Sequence, residues 1–198
     1  SIFTLQNLKG NRVIVDHGGQ PLHMFNYACH KAGLKLSDFE AIDAGSADDM
    51  VAAFKGGEGD YVHLQGPAPQ QLEIEGSGVV VGRLGDWVGP CAFSSLASRS
   101  DWLETDEAVA FMRAFRAARQ WVNQAPALHV ANSEIAYFPG ISVEALTEAI
   151  VAYQALGCWS GQVEIVSDEI AASVEVFRLG GAVTGDIDPS FVAVRPPG

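Results

Sequence analysis

Two rhythms of apolar residues run along this chain. Up to about residue 90, short apolar runs alternate with stretches at helical spacing, the signature of an α/β layer architecture. "NRVIVD" (11–16) predicts a strand, and "PLHMFNYACHKAG" (21–33) a helix with Leu22, Phe25, Cys29 and Ala32 on one face. Pro21 stands there at the expected first helical position and Gly33 just past the end. "FEAIDAG" (39–45) predicts a second strand, and "SADDMVAAFKGG" (46–57) a helix capped by Ser46, with Asp48 and Asp49 near the positive end of its dipole. "DYVHLQG" (60–66) predicts a third strand, "PAPQQLEIEG" (67–76) a short helix and "SGVVVGRLG" (77–85) a further strand.

Beyond residue 90 the texture changes. One more strand is expected within 90–99, in "GPCAFSSLASRS", and then helical spacing takes over. Residues 104–124 form an amphipathic helix with Val109, Met112, Phe115, Ala118 and Val122 inward. "ISVEALTEAIVAYQALGCW" and "SDEIAASVEVFRLGGAV" give two more helices, each with a serine cap, and "DIDPSFVAVRPPG" a last strand. The expected division is an α/β lobe over residues 5–90 and a mainly helical portion over 91–198.

Composition narrows the function. With 198 residues and 48 % apolar content a sizeable core is available, and no apolar run reaches the roughly 18–20 residues of a membrane-spanning helix. Twenty-four acidic against 12 basic side chains give a formal charge of −12, the wrong sign for a nucleic-acid partner. Cys29, Cys91 and Cys158 are isolated and read as small packing residues, with a single bridge as the alternative in an exported chain.

Candidate chemistry gathers at two strand-to-helix turns. At the first, His17, Gly18, Gly19 and Gln20 sit where unpaired helix N–H groups would meet a ligand, with glycines allowing close approach. The second, His63, Gln65, Gly66 and Ala68, repeats that arrangement. Two such turns at one sheet edge would converge on one cleft. Arg83 and Arg99 are candidate partners for an anion. Neither a Gly-x-Gly-x-x-Gly fingerprint nor a Gly-Lys-Ser/Thr loop occurs, so no nucleotide cofactor is expected. His23 and His30 share a helix face but bring no metal-ligand set, so no metal is expected. Ser94, Ser95 and Cys158 lack a nucleophile elbow or a base partner, and no catalytic carboxylate pair stands out, so no catalytic residue is assigned.

Several segments together carry a family resemblance: "NLKGNRVIVDHGGQPLHMF", "IDAGSADDMVAAFKGGEGDYVHLQGPAPQQLE", "VGPCAFSSLASRSDWL" and "AIVAYQALGCWS". In order and spacing they resemble the substrate-binding proteins of bacterial ABC importers in the NMT1/THI5-like group, which serves nitrate, sulfonates, taurine and pyrimidine precursors. The resemblance implies a type II periplasmic-binding-protein fold that closes on a small organic ligand without catalysis and docks on an ABC transporter permease. It also implies a periplasmic or extracellular, membrane-associated location. Family members usually carry roughly a hundred residues ahead of the "LKG" segment, so an α/β lobe followed by a helical return into an incomplete second lobe is expected, with self-association into a homodimer through the uncovered apolar surface. Two other classes share the superfamily: pyrimidine-synthase-like enzymes, whose cysteine-rich cluster is absent here, and ligand-sensing effector domains.

Overall fold

The computed structural model describes residues 2–159, 163–188 and 193–198. At its centre is strand β1 (Arg12–Val15), flanked in parallel by β2 (Glu40–Asp43) and β3 (Tyr61–Val62), in the order β2-β1-β3. Val15 pairs with Asp43 and Val13 with Tyr61. The β-branched run Val13, Ile14 and Val15 is buried on both faces, as a central parallel strand requires. Side chains alternate along a strand, so Val13 and Val15 meet Phe25, Ala28 and Cys29 of helix α1 (Gly19–Lys31), while Ile14 meets Met50 and Ala53 of α2 (Ala47–Lys55). The two helices therefore cover opposite faces.

Local chemistry explains most element ends. Ser46 and Asp49 close a capping box on α2, where the Asp49 carboxylate accepts from the Ser46 N–H at 3.1 Å and its hydroxyl at 2.6 Å. These bonds hold Asp49 below the usual carboxylate range. Helix α1 begins at Gly19, two residues earlier than expected. Pro21 is then the third helical residue, still within the first turn, where its missing N–H costs no intrahelical bond. Strand β3 is shorter than expected, and α3 (Ala68–Ile74) follows it.

Two expected strands are absent. Residues 77–83 form no ladder: Val79 and Val81 are 75 % and 48 % exposed, and the two-residue β3 offers no edge for a fourth strand. The segment is instead pinned by the Val80 N–H donating to the Glu73 carboxylate, ahead of the short α4 (Gly85–Val88). Residues 90–99 also form no strand. Their packed part, Cys91 to Phe93, lies along α8 (Ser167–Leu179), where the Ala92 N–H reaches the Glu169 carbonyl and the Ser173 hydroxyl reaches the Ala92 carbonyl.

The remaining helices are α5 (Asp106–Gln124), α6 (Ala127–Glu134) and α7 (Val143–Leu156). Thr105 and Ser142 cap α5 and α7 through their hydroxyls, and Gly157 ends α7 in the left-handed conformation at φ 72°. Ser167, expected as a cap, is the first residue of α8, whose N-cap is Val166. Helix α6, which the periodicity did not predict, buries Val130 and Ala131 against Leu146 and Ile150 of α7. Ala118, expected inward on α5, is exposed. Helix α7 also packs on α3, where the Ser142 N–H donates to the Gln71 side chain at 2.8 Å. Helix α8 packs on α1 and places Val176 in the same core as Val13. The tail strand expected at 186–198 falls partly on residues 189–192, outside the described residues; the described part of the tail carries none.

The β1–β3 seam gives a sharp test of this packing. A Cβ at Gly59 would stand 2.7 Å from Ile14 Cγ1 and 3.0 Å from the Tyr61 carbonyl oxygen, and Ile14 is fully buried. Gly59→Ala is expected to destabilise the fold by about 1–3 kcal/mol, read from urea midpoints. Gly18→Ala, where no atom lies within 4 Å, is the control and should change stability by less than about 0.5 kcal/mol.

Candidate functional site

All three strands are parallel, so their carboxyl ends and the turns that follow lie at one edge of the sheet. The chain leaves β1 toward β2 on one side and crosses back to β3 on the other, which makes the β1/β3 edge the switch point where open α/β sheets hold ligands. Both expected turns sit on this edge.

In the first turn the Gly18 N–H donates to Asp16 Oδ1 at 3.1 Å. His17 is exposed and its Nδ1 lies 2.8 Å from Asp43 Oδ2, tying the ends of β1 and β2 together. That bond, with the Gly45 N–H, holds the Asp43 carboxyl below its ordinary range. Gly19 takes φ 64°, and the Gln20 amide faces Met24 Sδ at 3.8 Å.

In the second turn the His63 ring stacks on Phe25, centroids 5.2 Å apart, with Nδ1 enclosed and, among the described residues, without a partner. Burial pushes its pKa down to about 4 against a weaker opposing pull from Asp16, so the ring is neutral at pH 7. Gln65 is exposed, and Ala68 opens α3 half-buried. Gly66 is closely hemmed: a Cβ there would lie 3.3 Å from both Gln70 Oε1 and Tyr153 Cε2.

Gly66 and Pro67 form one wall of a cavity of about 420 Å³. Helix α5 contributes Phe115, Ala118, Arg119 and Val122, and α6 contributes Val130 and Glu134. Phe138, Tyr153 of α7 and Trp159 complete the aromatic part, above a floor of Leu146, Ala149 and Ile150. Tyr153 and Trp159 are in ring contact at 5.4 Å, and burial raises the Tyr153 phenol pKa. Arg119 lies over the Phe115 ring at 5.8 Å and donates from Nη2 to the Cys158 carbonyl at 3.2 Å. The structure thus brings Gly66 to the cavity and does not place His17, Gly18, Gly19, Gln20, His63, Gln65 or Ala68 in its lining.

Most of these lining residues went unnoticed in the sequence, where Phe115, Tyr153 and Trp159 show only as apolar positions of helices. A second hollow, about 510 Å³, lies along the polar side of α5 between Arg113 and Gln124, and Arg116 there already holds Glu164 and the Pro197 carbonyl. The two candidate anion partners are also engaged, Arg83 with Asp86 and Arg99 with Asp101. The three cysteines are free. Cys29 is buried and Cys91 half-buried, while Cys158 is exposed rather than packed. Among the described residues no group of three or more His, Cys, Asp or Glu is placed to hold a metal, and no helix is long and apolar enough to cross a membrane.

An α/β layer with a switch-point edge and a helical return is a periplasmic-binding-protein-like fold. A solved structure of a protein from Bordetella bronchiseptica RB50 shares it, with a TM-score of 0.52 and 21 % identity over 95 % of this chain and 61 % of that one. The family described as NMT1/THI5 like matches residues 1–128, and the chain belongs to that family. "Putative binding protein YtlA" of Bacillus subtilis (strain 168) is 28 % identical over 124 residues, which is 61 % of this chain. The chain therefore matches 37 % of the length of that curated relative.

The neutral His63 sets a pH dependence. The unfolded chain titrates near the ordinary 6.5 and the folded chain near about 4, so between these values the unfolded state binds the extra proton. Stability is full above about pH 6.5 and falls as the pH drops toward about 4. Asp43, Asp49 and Asp60, held below the ordinary value of 3.8 by their partners, act at lower pH. His63→Phe keeps a ring on Phe25 and should flatten urea midpoints between about pH 6.5 and about pH 4.5. An unchanged slope would show that His63 is not the group responsible.

Proposed function

We propose that this chain is the solute-binding component of an ABC-type importer. It takes up a small organic molecule in the cavity beside the Gly66–Pro67 turn and passes it, unreacted, to a permease. The observation that carries this reading is the cavity itself: about 420 Å³, apolar and aromatic, with a few polar groups, beside the turn that follows β3. Membership of the NMT1/THI5-like family supports the class, and it favours a periplasmic or extracellular location.

The ligand site extends from the cavity onto the turns His17–Gln20 and Gln65–Ala68, and residues 5–90 act as the lobe that presents these turns. Phe111, Trp121, Leu128 and Tyr137 are exposed apolar side chains on and after α5 and α6. Exposed apolar side chains of this size support association of two copies of the chain.

A thermal-shift screen with pyrimidines, amines, sulfonates, nitrate and small carboxylates tests the proposal, because a ligand bound only by the folded state raises Tm. One class should give a saturable rise. Gly66→Val, which intrudes between Gln70 and Tyr153, should weaken that ligand by about tenfold or more. Gly19→Leu with Gln20→Ala should weaken it too; unchanged affinity would confine the site to the second turn. A cooperative melt with no shift for any class would contradict the proposal.

A further inference from the structure

The charges of the cavity wall are not matched to each other. Glu134, the last residue of α6, is half-buried in the wall and, among the described residues, forms no hydrogen bond or ion pair. Arg119 shares that wall but directs its guanidinium to the Cys158 carbonyl and the Phe115 face, and does not pair with Glu134. Around them stand three further aromatic rings, Phe138, Tyr153 and Trp159, whose faces carry negative quadrupole charge.

We propose, resting on the solute-binding reading, that the cavity selects a small organic cation, an alkylammonium or quaternary ammonium compound. A cation gains from the ring faces and gives Glu134 a counter-charge within a mostly apolar enclosure. An anion would have to draw Arg119 away from the contacts it already makes and approach Glu134 at the same time. A neutral ligand would seal Glu134 from water with nothing to compensate its charge, a penalty that grows as the cavity closes. The formal charge of −12 over the whole chain acts in the same direction, drawing cations to the surface before they enter.

The test compares choline with its neutral carbon isostere, 3,3-dimethylbutan-1-ol, and with propanesulfonate. Affinity is measured calorimetrically and by tryptophan emission on the 198-residue chain at one ionic strength. Choline should bind about tenfold or more tightly than the isostere, with no binding of the sulfonate. Glu134→Gln should lose about tenfold of that affinity at an unchanged melting temperature, and Trp159→Phe should remove the emission change. Equal affinity for choline and the isostere, or preference for the sulfonate, would overturn the charge selection and leave the solute-binding reading standing. Binding of none of the three probes, with no hit in the wider ligand screen, would overturn both.

Discussion

Strand β1 is the constraint on which the rest of the structure depends. Its Val13-Ile14-Val15 run is apolar on both faces, so neither face can meet water, and each must find a cover. Helix α1 supplies one cover and α2 the other, and a right-handed crossover on each side of β1 follows from that demand. The order β2-β1-β3, the shared edge of the turns and the switch point beside Gly66 all descend from one strand that cannot be exposed.

Much of the first 75 residues was legible because local and tertiary signals agree there. The β-branched run at 13–15, the Ser46–Asp49 box and the glycine after α1 each point to the element that forms. The valines at 79–81 show where that logic fails. They carry the same strand propensity as β1, but propensity in strands reflects the neighbours a sheet provides, and the two-residue β3 gives them no ladder to join. Helix α6 escaped notice for the opposite reason: its eight residues bury only Val130 and Ala131, too short a stripe to show a period, though Pro126 marks its start.

The candidate site was legible only at its turns. Gly66 could be picked out because a glycine-proline pair between a strand and a helix has a local meaning. Phe115, Glu134, Tyr153 and Trp159 come from separate helices and connections, and what they share is a cavity rather than a motif. No local pattern links them, since each position is explained well enough by its own helix or connection. His17 shows the converse: a polar residue in the expected place whose bonding is met by Asp43.

Helix α8 has a consequence for how the chain acquires its structure. Val176 completes a core that contains Leu5, Leu8, Val13 and Phe25, so the first residues of the described sequence and helix α8 share one apolar interior. Contacts of such long sequence separation form late, because the loop between them must be closed before they contribute. Until residues 167–179 dock as α8, the outer side of α1 therefore stays partly uncovered. A holdase that shelters α1 in that interval would raise the yield of folded protein without touching the native state.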